Sequence, residues 1–543
     1  MQLARAAEPF VLNAGSILQQ LQPGLPATAP SSAPGLSVQE QADAPVPPSI
    51  AFRVTTIQIT GNTRIATDEL HALVQDAEGQ DLTLAALSAV VARITEHYRR
   101  QGFALARAIV PGQTLVAGVL QVQVIEARYD AVVLDNQTPM ADALLHSALV
   151  GIESGQVIEQ APLDHALLSL SDIPGVVVTA SMKPGSRTGV TDLVVTTTAP
   201  GASVSGSTVV DNYGNAFVGR TRVGQSVRVI DPFKQQTGAA LDINGLSSGT
   251  GLNYGRVAYE TVLSGAGTRV GASYSALRYA LGGSLAASDS SGAAQVGQVW
   301  ARRSLLRSYT ANLYTQLQYD STQLRDHSGV DIDNNRHTNK ITASLTGDVQ
   351  DALWSGAVNT WNLSLASGVV GYDNAAAGVN NAGLVEGRFT KLSGAFSRLQ
   401  KLSPVDSLYA ALTLQWASQN LDPSEKMAVG GAITVRSASA GALSGDLGAV
   451  LNLEYRHSLG AAWGGHLQLS AFMDSATVQL NKTALSANEN RAQLSAAGLG
   501  LAWSGPQQIF VKAQLARLLG TPSASLAGAT GSVRGWVEVA HAF

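Results

Sequence analysis

Leu467-Gln468-Leu469-Ser470-Ala471-Phe472-Met473-Asp474 alternates as a β-strand does. With a two-residue period, Leu467, Leu469 and Met473 face one side, and Gln468, Ser470, Phe472 and Asp474 face the other. The same alternation recurs from about residue 201 onward, in segments of 9–13 residues separated by Gly, Asn, Asp and Ser. Leu313-Thr315-Leu317-Tyr319, Leu408-Ala410-Leu412-Leu414 and Ile509-Val511-Ala513-Leu515 are the clearest cases. The last segment sets Val533, Gly535, Val537, Val539, His541 and Phe543 on one face. An apolar-out, polar-in dyad sustained over residues 201–543 is the pattern of a transmembrane β-barrel. Dividing those 343 residues by sixteen leaves about 21 for each strand and its connection, which suits sixteen strands of roughly 10–12 residues.

Composition agrees with that reading. Only 14% of the 543 residues are charged, the formal net charge is -4, and Gly makes up 54 positions. A nucleic-acid partner is disfavoured, because the chain carries no basic excess. With no cysteine, disulfides, thiolate metal sites and Cys nucleophiles are excluded. No apolar run is long enough for a membrane-spanning helix. The start, Met1-Gln2-Leu3-Ala4-Arg5, does not read as an export leader, so an exported form implies a leader outside this numbering.

Three zones precede the barrel. Residues 1–22 hold a short helix that Asn13 can cap, with Ile17, Leu18 and Leu21 on one face. Residues 23–50 form a linker with seven of the nineteen prolines. Residues 51–127 and 128–200 read as two small α+β units of order β-α-α-β-β, each a three-stranded sheet under two helices. Asp211-Asn212-Tyr213 and Gly245-Leu246-Ser247-Ser248-Gly249 read as ordinary periplasmic turns. The second matches G-x-S-x-G, but no helix follows to make a nucleophile elbow. The nine histidines lack metal-ligand spacing, and no Walker loop is present, so the sequence calls for no cofactor and no enzyme activity.

Several motifs occur in a joint order. Gly102-Phe103, Ala106, Pro111, Gln113, Gly118 and Leu120 to Glu126 lie in the first unit. Leu170-Ser171-Asp172-Ile173-Pro174-Gly175, Pro184-Gly185, Gly189 and Asp192-Leu193 lie in the second. Val210-Asp211-Asn212-Tyr213-Gly214, Gly219, Gly267-Thr268-Arg269, Ser444-Gly445-Asp446, Leu453-Glu454, Trp536 and Phe543 follow in the barrel. In these the chain resembles the transporters of two-partner secretion (TpsB; the ShlB/FhaC/HecB type of haemolysin secretion/activation protein), within the Omp85 superfamily.

The resemblance implies an all-β 16-stranded barrel in the outer membrane of a Gram-negative bacterium. Two POTRA domains stand in the periplasm, and an N-terminal helix plugs the pore. Its partners are a large secreted exoprotein bound through that protein's N-terminal domain, outer-membrane lipid, and a barrel assembly machinery that reads the terminal Phe543. A loop at about 418–446 is implied to fold into the lumen, with a Val-Arg-Gly-Tyr tip that meets a Phe-x-Asp motif on the thirteenth strand. Here the tip reads Val435-Arg436-Ser437-Ala438, so the Arg matches while the Gly and Tyr do not; Phe472 and Asp474 match the strand motif. Arg436 and Asp474 are thus expected to pair. The segments Ala104–Val110 and Val176–Ser181 are expected to offer sheet edges to the exoprotein, through the strands of Ala104, Ala106 and Ala108 and of Val176 and Val178. The alternatives are an outer-membrane protein insertase of the same superfamily and a passive porin.

Overall fold

The computed structural model describes residues 12–21, 35–38, 49–265, 267–329, 332–374, 385–485, 489–520 and 533–543. Much of the 23–50 linker and the first eleven residues of the 1–22 segment lie outside them.

In the first unit, the strand Thr56–Thr60 runs parallel to Val119–Ile125, which pairs antiparallel with Arg107–Ile109. Helices Thr67–Ala72 and Leu84–Arg100 cover the sheet. The longer helix starts where the Thr83 hydroxyl accepts from Ala86 N at 3.2 Å, and it buries Leu87, Val91, Ile94 and Tyr98 against Ile57, Leu120, Val122 and Val124. The second unit repeats the plan. Its strands Val177–Pro184, Val190–Thr198 and Arg128–Gln137 lie side by side in that order, under helices Asp142–Ala148 and Gln160–Ser171.

Glu126 closes the first unit. Its carboxylate accepts from Thr63 N (2.7 Å), Arg64 N (2.8 Å), the Tyr98 hydroxyl (2.9 Å) and the Thr63 hydroxyl. Burial alone would raise its pKa, but these donors outweigh that and hold it below the ordinary carboxylate value.

The barrel has sixteen antiparallel strands in sequential order, closed by pairing of Val204–Asp211 with Val533–Ala542. Val257, Leu317, Ile341, Leu365, Leu412 and Leu515 stand exposed on its outer belt. Inside, polar side chains bond across strands, as where Gln298 donates to Asp320 at 2.7 Å. The strands are not uniformly 10–12 residues. They range from Val204–Asp211, with 8, to Ile332–Asp351, with 20. Alternation fades where a strand leaves the apolar belt, because both faces are then polar, as in Asp333-Asn334-Asn335-Arg336-His337.

The second unit docks on the barrel end that carries the short turns. Arg307 donates to both oxygens of Asp172 (2.8 and 2.7 Å), and Arg269 reaches the Asp172 carbonyl. Gly265 N donates to the Ser147 hydroxyl at 2.7 Å, and Ala141 N to the Gln236 carbonyl at 3.2 Å. That end lies toward the α+β units. Asp211-Asn212-Tyr213 follows the first barrel strand at the opposite end, and so does Ser248-Gly249 after the third. Neither turn lies at the end that carries the α+β units, where the sequence reading puts them. The direction of the first strand, which leaves the second unit and runs away from it, decides this.

Candidate functional site

The segment between strands Asp406–Ala417 and Leu447–Ala462 folds into the lumen. Short strands Met427–Val429 and Leu443–Gly445 pair and form its neck. Val429, Val435, Ala438 and Leu443 pack on the inward side chains Val450, Ala476, Val478, Leu494 and Ala496 of the wall. The chain turns through Gly430 and Gly431, both left-handed (φ 102° and 104°), a conformation that favours glycine.

Arg436 sits at the tip, 4% exposed, facing Asp474 at 0% on the thirteenth strand, Gly465–Gln479. The guanidinium forks onto that carboxylate, Nε to Oδ2 at 2.9 Å and Nη2 to Oδ1 at 2.8 Å, and its own backbone N–H donates to Oδ2 at 3.1 Å. A planar fork on a carboxylate is the strong form of ion pairing. Nη1 reaches Glu454 at 2.7 Å, and the guanidinium lies 3.3 Å from the Phe472 ring centre. Asn452 bridges the site, donating to Asp474 (2.8 Å) and the Thr434 carbonyl (2.6 Å). Trp536, on the last strand, donates its indole N–H to the Arg436 carbonyl at 2.7 Å. Val435 and Ser437 on either side of Arg436 are fully buried, and the Ser437 hydroxyl finds no partner among the described residues.

Two further ionic groups hold the loop. Glu425 lies between Lys340 (2.7 Å) and Lys391 (2.6 Å). Asp422 accepts from Arg336 Nε at 2.6 Å, while the same Arg336 donates through Nη1 to Asp326 at 2.6 Å. Asp326 also accepts from Ala14 N at 2.7 Å, the first residue of the lumen helix Ala14–Leu21. Asn13 caps that helix, accepting from Ser16 N at 2.9 Å. Ile17 and Leu18 are buried and Leu21 half-buried against Leu252, Leu277, Val296 and Leu324 of the wall and Val218 of the connection after the first strand. Gln19 donates to the Ser424 carbonyl of the loop. Helix and loop therefore fill the lumen as one assembly, with Arg336 bonded toward both.

The expected sheet edges differ in their state. Ala104 is exposed, Ala106 is buried in the first core, and Ala108 packs against it, while its backbone N–H donates to the Thr95 hydroxyl at 3.0 Å. Val176 and Val178 point into the second core, and the outer side of their strand is covered by the linker strand Gly35–Val38. Phe543 ends the barrel, exchanging backbone hydrogen bonds with Gly206 (2.8 and 2.9 Å). Asn452 and the Arg336 hub were not among the expected residues, and Glu454 and Trp536, which carry part of the family resemblance, were given no part in the site. Asn452, Glu454 and Arg456 alternate with Leu451, Leu453 and Tyr455, a pattern that marks them as inward-facing. Among the described residues, no group of three or more His, Asp or Glu converges on a metal position.

A sixteen-stranded barrel with an inward loop and two α+β units, the second docked on the barrel, defines a class of outer-membrane β-barrel. The chain belongs to the haemolysin secretion/activation protein ShlB/FhaC/HecB family, whose model matches residues 189–503, and residues 52–127 match the ShlB-type POTRA domain. It is 24% identical over 481 residues to the heme/hemopexin transporter protein HuxB of Haemophilus influenzae, covering 87% of this chain and 84% of that protein. Over a shorter stretch of 168 residues, 31% of this chain and 28% of its relative, it is 29% identical to the outer membrane transporter CdiB of Escherichia coli. In three dimensions it is similar to CdiB from Escherichia coli, with a TM-score of 0.71 at 21% identity over 99% of this chain and 94% of that one. BamA from Haemophilus ducreyi shares the fold more loosely, with a TM-score of 0.52 at 13% identity over 91% of this chain and 100% of that one.

Proposed function

We propose that this chain is an outer-membrane pore that binds a partner exoprotein in the periplasm and passes it, unfolded, to the cell surface. The observation that carries this reading is the filling of the lumen. Helix Ala14–Leu21 and loop 418–446 occupy it through hydrogen bonds, ion pairs and modest apolar contacts. Both segments can leave without a covalent bond breaking. Arg436 and Asp474 anchor the loop, with Val435, Ser437 and Phe472 shaping the seat.

The α+β units stand on the periplasmic side. Residues 51–127 and 128–200 serve as two POTRA domains, which take an extended segment of the exoprotein's N-terminal domain by β-augmentation. The barrel machinery of the host inserts the chain, and the strand ending in Phe543 offers it a terminal aromatic. No nucleotide site supplies energy. Folding of the exoprotein outside makes passage one-way.

Depletion tests the reading. Cells lacking this protein should hold the exoprotein in the periplasm while other outer-membrane barrels assemble at normal levels. A general loss of barrels would favour an insertase. Normal export of the exoprotein together with a lost solute permeability would favour a porin.

A further inference from the structure

Residues Gly35–Val38 of the linker form a parallel strand on the outer edge of the second unit's sheet. Gly35 pairs with Thr179, Leu36 with Ala180, Ser37 with Ser181 and Val38 with Met182. A free sheet edge is a ready template for another strand, and proteins manage it by blocking it. On each edge strand of the first unit a backbone donor is taken by a side chain. Ala108 N donates to Thr95, and Ile57 N donates to Glu78 Oε1 at 2.7 Å. On the far edge of the second unit, Gly155 and Gln156 exchange backbone bonds with Tyr129 at the start of Arg128–Gln137. The edge of Val177–Pro184 is managed differently. It is covered by a strand of this chain's own tether.

We infer that Gly35–Val38 is a resident placeholder, and that an extended segment of the exported chain displaces it and pairs parallel to Val177–Pro184. This rests on the secretion reading above and names the edge that reading uses. The placeholder covers four of the eight residues of that strand. An incoming segment that pairs along all eight makes more ladder bonds than it replaces. A short strand can still hold the edge at rest, because it is tethered and so present at high effective concentration.

Displacement has a mechanical consequence for the plug. With Gly35–Val38 docked, the helix ending at Leu21 is tied to the second unit by residues 22–34, thirteen residues that span at most roughly 45 Å. Once the strand leaves, the tether becomes residues 22–48, twenty-seven residues that span at most roughly 90 Å. Arrival of cargo at the edge thereby lengthens the leash on the helix that blocks its path.

The chain has no cysteine, so Ser37→Cys with Ser181→Cys places a single thiol pair at one rung of the ladder. The two thiols should join on mild oxidation, and Ser37→Cys with Gln137→Cys, on the far edge, should not. In cells that export the exoprotein, the oxidised Ser37→Cys/Ser181→Cys protein should secrete at least about tenfold less than the same protein after reduction, with either single variant unaffected. In purified transporter, the N-terminal domain of that exoprotein should slow bond formation about tenfold. Failure of the thiols to join, full secretion from the cross-linked protein, or an unchanged rate with the domain present each overturns the proposal. Failure of the secretion reading shows separately, as normal export of the exoprotein by cells that lack this chain.

Discussion

Arg436→Ala tests what holds the loop. The change removes three charge-assisted hydrogen bonds, two to Asp474 and one to Glu454, and the cation over Phe472. Among the described residues, Asp474, fully buried, keeps the backbone N–H of residue 436 and Asn452; Glu454 keeps Arg456 at 2.8 Å. Breaking a buried pair by removing one partner costs roughly 3–5 kcal/mol, and lumen water that reaches the stranded carboxylate lowers this. We expect about 3 kcal/mol, or roughly a hundredfold shift from docked toward undocked loop. Asp474→Ala should be milder, since Arg436 keeps Glu454. The double variant should resemble Arg436→Ala, with a coupling energy of about 1–3 kcal/mol. Arg436→Lys should also be impaired, because an ammonium cannot fork onto Asp474 and reach Glu454 together. Limited proteolysis between residues 418 and 446 on folded barrels reads docking, heat-modifiable migration confirms the fold, and secretion is scored in parallel. Additive single effects, or Asp474→Ala exceeding Arg436→Ala, would refute the pairing as the anchor.

Removing residues 1–21 should raise single-channel conductance in planar bilayers while secretion survives; unchanged conductance removes the helix as a plug. Arg336→Gln should loosen loop and helix together, since Asp422 and Asp326 both lose their cation, and spin labels on the two segments should report both motions. Asp172→Ala removes both side-chain bonds from Arg307, so hydrogen exchange should rise several-fold at the junction of the second unit with the barrel while the barrel stays folded. Because its folded pKa is depressed, Glu126 contributes stability that is fully present above the ordinary carboxylate value of 4.5 and is lost as pH falls through the folded value. Protection factors at Thr63 and Arg64 in the full-length protein, with the intrinsic exchange rate divided out, should therefore fall on acidification below roughly pH 4.5, and Glu126→Gln should flatten that dependence.

Much of the architecture is legible in the chain because its signals are local. Period-two alternation marks the strands, the Asn13 cap and the spacing of Ile17, Leu18 and Leu21 mark the helix, and the Val435-Arg436 and Phe472-x-Asp474 motifs point at each other once the family resemblance is in hand. What was missed is non-local. Trp536 meets Arg436 from a hundred residues away, and only barrel closure brings the last strand beside the loop tip. Asp326, Arg336 and Asp422 are polar residues among many, and nothing in their own neighbourhoods singles them out. Gly35–Val38 lies among prolines and reads as linker, since parallel pairing to a distant edge leaves no local trace. The strand lengths failed for another reason: beyond the membrane belt, solvent bathes both faces and the pattern has no cause to persist.

The barrel's closing pair has a consequence for the order of its assembly. Strands Val204–Asp211 and Val533–Ala542 match over five residues, from Ser207 with Ala542 to Asp211 with Glu538, whereas Ala311–Ser328 and Ile332–Asp351 match over eighteen. The other neighbouring strands meet across connections that run from the tight turn between Ala462 and Gly465 to the lumen loop between Ala417 and Leu447, while the closing strands meet only after more than three hundred residues are in place. The loop-closure term grows with the logarithm of that separation and disfavours the closing pair by roughly 3 kcal/mol relative to a ten-residue hairpin. With the fewest rungs and the longest contour to close, this junction zips up last, after the other fifteen strand pairs have formed a curved open sheet.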